Sequence, residues 1–460
     1  MLMVVCTQMG WSQQKMIVLK AKSNIASIRM GKLYYPDAWE MKKNSQSDPD
    51  NMNIEETKDS LTFMSVITDI DSIGYSVRQG QTIPFIVILN EKDTVWSNLK
   101  VGSSKGNFTE GYQKANDGKT IIDVPKLYEL VNIIMAITPT GIRDSSLIEH
   151  DIFYYTKVQK AFSPFKNHRV VGVMDSLLKA DKYYDVKMDG YSFEFDAKGQ
   201  LVRKKEYNRV GWGGDNAIQA YIPLIQDFAK KSNFLKFYKQ NEPFYNAMIK
   251  AYRDSLGVPE MQKWLNQQFP TTRYNCFKII FSPLVNANQS TTSFESNGFK
   301  EGQPHVNFPD FWYNPKKSKV SEKSFNINRG NIVFTELNHL FENPEFDKDA
   351  NSNAFNAIPF KMSFFAEKNK PAESYATPLS CVEEYMNWAL VSLRFVDFAP
   401  KEDWETLFSN VEKNMVNYRG FIKFKEFNRF LIDIYTKRPQ GKLVADLYPQ
   451  IIDWFKENNH

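Results

Sequence analysis

Cysteine is scarce in this chain of 460 residues. There are three, Cys6, Cys276 and Cys381, and none belongs to a CxxC pair. A thiolate zinc site is therefore excluded, and Cys276 and Cys381, each in an apolar segment, are expected to be free and buried rather than bridged. Long apolar runs are missing as well; none reaches the ~20 residues of a membrane-spanning helix. A concentrated basic stripe is also lacking. The net charge of +5 comes from 58 basic and 53 acidic residues spread along the chain, and clusters such as Arg203-Lys204-Lys205 and Lys316-Lys317 stand beside Asn, Ser or Glu as solvated loops. Nucleic acid is thus excluded as a partner.

The N-terminus has no basic lead. Met1 to Cys6 is apolar and Thr7 to Ser12 is polar, a pattern too short for a whole signal peptide but like the tail of one. Val5 stands where a lipoprotein site wants a small residue. Residues 1–15 are therefore read as a signal remnant, and the protein as exported, periplasmic or extracellular.

What is present is an ordinary globular composition, 42% hydrophobic and 24% charged, with a high aromatic content of 14% that suits thick cores. Between residues 16 and 117 short apolar or alternating runs bounded by Asp, Asn, Gly and Gln predict an antiparallel β-sandwich-like domain. Its runs include 16–19, 61–67, 73–77 and 84–90, and a loop from Gly102 to Gly118 closes it. From residue 118 to 460 helical periodicity dominates. Helices are predicted at 153–163, 168–180, 214–231, 241–255, 258–268, 376–397, 401–417, 421–436 and 441–457. A hairpin at 191–201 and a strand at 277–284 interrupt them. The fold class is α+β.

The segment Asn331 to Pro344 carries the strongest chemical signal. Gly330 opens it and Asn343-Pro344 is expected to end it, giving a helix of about three turns. Thr335 and His339 share one face, with Glu336 beside them. With His at 335 the segment would read HExxH, in which two imidazoles hold zinc and the Glu deprotonates the metal-bound water. On pattern alone Glu336 and His339 fit equally a paired acid and a hydrogen-bonded core imidazole. On the later helix, Glu383, Asn387 and Arg394 share a polar wedge, while Glu384 lies with Trp388, Val391 and Phe395 on a side that looks buried. A carboxylate there must be paired, protonated or bound to a cation. Glu384 is the candidate third metal ligand, Glu383 the fallback, and a buried pair with Arg394 or Arg419 the competing reading.

Several stretches, Asp71–Val77, Phe85–Asp93, Leu127–Ile134, Ser163-Pro164-Phe165 ahead of His168, and TELNHLFENP, together resemble an uncharacterised family of exported bacterial proteins. That family is filed as a domain of unknown function whose members carry HE-[FI]-x-HSFVNP or a near relative. The resemblance runs from about residue 60 to the end. It implies a zincin-like, gluzincin-type metallopeptidase domain behind an N-terminal β-domain, with Glu336 as general base, His339 as zinc ligand and Glu384 as third ligand. The chain departs from the pattern at Thr335, which takes the first-ligand position, and at Leu340 and Glu342. A neutral hydroxyl is a poor zinc ligand, so zinc is expected to be weak or absent unless another donor intervenes. His305 is nearest in sequence, with His150 and His168 behind it; His168 reads better as a helix cap. Two functions follow as expectations. One is a metallopeptidase-like hydrolase in which strand 277–284 aligns an extended peptide. The other is an inactive pseudopeptidase that binds a peptide or protein. Tyr418 and Arg419 are noted as oxyanion-stabilising types only.

Overall fold

The structure is a computed structural model describing residues 17–30, 33–41, 50–52, 62–77, 82–101, 106–213, 215–309, 318–375 and 377–460. The expected signal remnant at 1–15 lies outside the described residues. The fold is mixed helix and sheet, and the chain divides into two compact units. One comprises residues up to Asn107 with Gly213–Asp215; the other comprises Phe108–Trp212 and Asn216–His460. No described helix is long and apolar enough to cross a membrane.

The first unit holds strands β1 (Ile17–Ala21), β2 (Ile25–Met30), β3 (Leu33–Glu40), β4 (Asp50–Met52), β5 (Thr62–Ile67), β6 (Ser72–Val77), β7 (Thr82–Leu89) and β8 (Asp93–Val101). They form two four-stranded sheets, β1-β7-β8-β4 and β3-β2-β5-β6. Only the second is wholly antiparallel. In the first, β1 runs parallel to β7 and β4 parallel to β8, which corrects the expectation of a purely antiparallel unit. Alternation decides the core: Leu19, Ala21, Ile83, Phe85 and Val87 from one sheet bury with Ala26, Ile28, Met64 and Val66 from the other. The β7–β8 turn places Asn90 and Glu91 at φ 49° and 62°, left-handed conformations that match the twist of a tight hairpin. The turn from Thr68 to Asp71 ties the sheets together. The Asp69 carboxylate accepts from the backbone N–H groups of Lys22 and Ser23, Asp71 accepts from that of Lys20, and the Thr68 hydroxyl donates to the Lys20 carbonyl.

In the second unit, helix Glu110–Asn116 occupies part of the segment expected as a closing loop. Strand β9 (Lys119–Asp123) follows, then the hairpin β10 (Phe193–Phe195) and β11 (Leu201–Arg203), then β12 (Cys276–Phe281), β13 (Ser290–Ser296) and β14 (Phe299–Val306). The order β13-β14-β12-β9 puts β12 in the interior, buried along its whole length, so the predicted strand 277–284 is no edge. The antiparallel edge is β13, and β12 and β9 run parallel to β14. The parallel ladder between β12 and β14 skips a step opposite Gln303 and Pro304, because proline has no N–H to give it. Cys276 and Cys381 are buried and unpaired.

Helix Asn331–Phe346 packs against β14, where Gly302 leaves room for it. A Cβ on Gly302 would come within 2.5 Å of the Leu340 side chain. The helix continues through Pro344 instead of ending there. Proline deprives the Leu340 carbonyl of its usual i+4 donor, and the Tyr274 hydroxyl replaces it at 2.9 Å. Likewise, the helix predicted at 241–255 runs Phe234–Asp254 with Pro243 inside it. Tertiary contacts outweigh the local stop signal in both cases.

Removing the Tyr274 hydroxyl leaves the Leu340 carbonyl without a partner. Tyr274→Phe is therefore expected to lower the unfolding free energy by about 1 kcal/mol, read from urea denaturation. An unchanged midpoint would show that the helix tolerates Pro344 for another reason.

Candidate functional site

Three segments converge on His339. Helix Asn331–Phe346 carries Thr335, Glu336, His339, Glu342 and Asn343, and helix Pro378–Phe398 carries Glu383, Glu384, Asn387 and Trp388. The second helix is started by Thr377, whose hydroxyl accepts from the Ser380 N–H in a reciprocal capping box. A π-helical turn, Asn414–Arg419, delivers Arg419 and is closed by Gly420 at φ 83°. That left-handed position needs glycine, and a Cβ there would also strike the Lys370 side chain at 2.7 Å.

His339 is engaged at both ring nitrogens. Nδ1 lies 3.0 Å from Asn343 Oδ1 and 3.2 Å from Glu342 Oε1, the i+4 and i+3 positions of its own helix. Nε2 lies 2.8 Å from the Asn387 amide and 3.5 Å from Glu384 Oε2. Although burial opposes the charged form, hydrogen bonds to Glu342 and Glu384 and their charges raise the imidazole well above its ordinary pKa. Glu384 is equally committed. Its Oε1 accepts from Arg419 Nη1 at 2.5 Å and from the Trp388 indole at 2.9 Å. Burial opposes its ionisation too, but Arg419 and His339 overcome that and hold the carboxyl far below the usual range. Arg419 also donates to the Tyr375 hydroxyl at 2.7 Å.

The donor set does not fit zinc. Thr335 is buried, and its hydroxyl donates to the Ile332 carbonyl at 2.8 Å, a back-bond common for threonine in helices. Among the described residues no three His, Cys, Asp or Glu side chains are grouped to hold a metal, whereas a zinc site needs three or four protein donors. His305, the proposed rescue ligand, lies in β14 opposite Ser290 of β13 and has no place in such a group. His150 instead bonds the Gly141 carbonyl at 2.9 Å and lies against Tyr155. His168 caps its helix, accepting from the Val170 N–H, and meets Asp227 at 2.9 Å.

Glu336 is half-buried and makes no hydrogen bond among the described residues. Burial is the main cause raising its carboxyl to about 7, with Glu384 adding to the shift and His339, Lys187 and Arg419 opposing it. The candidates Glu336, His339 and Glu384 are thus brought together, and Glu384 rather than the fallback Glu383 touches the imidazole. The pair Glu384–Arg419 is the competing reading raised above. Arg394 goes elsewhere, to the Ile327 carbonyl and the Phe334 ring, and Tyr418 is exposed. Asn387 was placed on the polar wedge with Glu383 and Arg394 but given no role, whereas it meets the His339 ring; Lys187 was not named and had no local signal. Comparison with family models, with curated proteins and with solved structures found no match.

Two outcomes test this electrostatic arrangement. Glu384 keeps only 4% of its side chain exposed and Arg419 20%, so removing the guanidinium strands a buried carboxylate. Arg419→Met is expected to cost about 3 kcal/mol of stability, measured by chemical denaturation. A loss within error would show that the pair is solvent-screened. Folding raises the Glu336 carboxyl from its ordinary 4.5 to about 7, so the folded state binds this proton more tightly. That contribution is full below pH 4.5 and is lost as pH rises through 7. In Glu336→Gln the stability profile should flatten across that window, and an unaltered slope would contradict the assignment.

Proposed function

We propose that this chain is an exported, metal-independent binding protein: a metallopeptidase-like scaffold whose cleft captures an extended peptide or protein segment. The carrying observation is that both groups expected to hold zinc are consumed, Glu384 by Arg419 and His339 by Asn343, Glu342 and Asn387.

The edge of the sheet supports the peptide reading. Opposed residues in an antiparallel pair alternate between hydrogen-bonded and non-hydrogen-bonded positions. Thr291 opposes Pro304, which has no N–H, and the Thr291 carbonyl accepts instead from the Trp212 indole at 3.1 Å. The backbone groups of Thr291, and by the same parity those of Ser293 and Glu295, therefore turn away from β14. An outward-turned edge accepts one more strand by main-chain hydrogen bonding.

Ser293→Pro deletes one outward N–H while leaving the β14 ladder intact. Binding of extended peptides, followed by fluorescence polarisation against an immobilisation-free random library, is expected to weaken about fivefold to tenfold with little change in melting temperature. Undiminished binding would exclude the edge. Mass spectrometry for metals supplies the other arm: wild-type protein should hold no stoichiometric zinc, and Thr335→His combined with Arg419→Ala should gain about one equivalent. A wild-type zinc ion lost on His339→Ala would sink the binding-protein reading in favour of the peptidase.

A further inference from the structure

The two faces of β14 differ in kind. Gly302 faces the Leu340 helix, while Glu301, Gln303 and His305 alternate onto the opposite face. At one end of that face the polar groups are matched. Lys278 Nζ donates to the hydroxyls of Tyr112 at 2.6 Å and Tyr207 at 2.9 Å and lies 3.5 Å from Glu301, and Tyr207 donates to Glu301 at 2.6 Å. At the other end they are not. His305 is fully buried with both ring nitrogens lacking a hydrogen-bond partner, and so are Ser290 Oγ, both side-chain atoms of the Asn288 amide and the Tyr128 hydroxyl.

These groups are neighbours. Ser290 is the cross-strand partner of His305, the Tyr128 ring centroid lies 5.5 Å from that of His305, and Lys187 Nζ donates to the Asn288 carbonyl. Lys187 is itself fully buried, and that carbonyl is its only hydrogen-bond partner among the described residues. Its charge acts on both His305 and Glu336, although among the described residues Glu336 makes no ion pair with it. Each orphaned polar group costs about 1–3 kcal/mol, and native interiors contain few of them. Water could serve the neutral groups, but burial pulls the Lys187 amine down to about 7 against the opposing charge of Glu336, and an anion brought against it would restore the charged form.

We infer that Lys187, Asn288, Ser290 and His305 form a recognition site for an organic carboxylate, namely the C-terminal carboxylate of the segment held in the cleft. This rests on the peptide-binding reading and names which part of the peptide is read. The carboxylate oxygens accept from the Lys187 ammonium, the Ser290 hydroxyl and an imidazole N–H. The Asn288 amide oxygen accepts the N–H of the last residue. The Glu336 carboxylate has the same sign as the ligand and competes with it for the ammonium, so neutralising it tightens binding.

N-acetylglycine and N-acetylglycinamide are the probes, with binding read by ligand-observed NMR and titration calorimetry on the full chain. The acid is expected to bind and the amide to bind at least tenfold more weakly. Lys187→Met should erase the difference, and Glu336→Gln, which keeps the ammonium, should tighten the acid severalfold. Because Lys187→Met alters a buried site, Glu336→Gln serves as the variant that tests the idea if the first fails to fold. Equal binding of acid and amide, no binding of either, or no effect of Glu336→Gln overturns the site. Should peptides with amidated ends still bind along β13 in that event, the cleft reading stands and only the carboxylate assignment falls.

Discussion

A carboxylate withdrawn from water has to be met by positive charge, and Glu384 is that carboxylate. The Arg419 guanidinium takes one of its oxygens, and the imidazole of His339 lies on the side of the other. Three separate segments are thereby held in register: the two long helices that supply His339 and Glu384, and the π-helical turn that supplies Arg419. Such a pair adds little net stability over apolar packing but makes the loss of either partner expensive. An oxygen bonded to guanidinium and indole, and a ring bonded at both nitrogens, present no converging lone pairs to a cation.

The sheet beneath this cluster divides its labour between faces. Toward the Leu340 helix it is smooth, and Gly302 allows the close approach on which the position of Glu336 and His339 depends. On the reverse face it is polar. Lys278, Glu301, Tyr112 and Tyr207 close one network completely, while His305, Ser290 and Asn288 leave another open beside Lys187. A matched network stiffens a core, whereas an open one of equal burial is costly unless something enters it.

Much of the site was readable from residue spacing. Glu336, His339 and Glu384 were named from helical periodicity and from the rule that a carboxylate on an apolar face needs a partner, and Arg419 was named as one such partner. Helices at 153–163, 168–180 and 258–268 were legible for the same reason, since each has an unbroken apolar stripe and a clear cap or stop. Misreadings arose where local signals met tertiary contacts. Asn343-Pro344 looked like a helix stop, but a tyrosine from another element takes over the orphaned carbonyl. The strand at 277–284 looked like an edge because no pattern in one sequence tells which strand will flank it.

The sequence by itself determined most element types, the core faces and the poor ligand chemistry of the Thr335 hydroxyl, because these depend on periodicity and side-chain chemistry within a few residues. Tertiary structure alone decided that β13 rather than β12 is the edge, that Arg419 rather than Arg394 meets Glu384, and that Lys187 is electrostatically coupled to both Glu336 and His305. Those outcomes depend on which distant segments share a small volume, where burial strengthens the interaction between charges that a sequence leaves far apart.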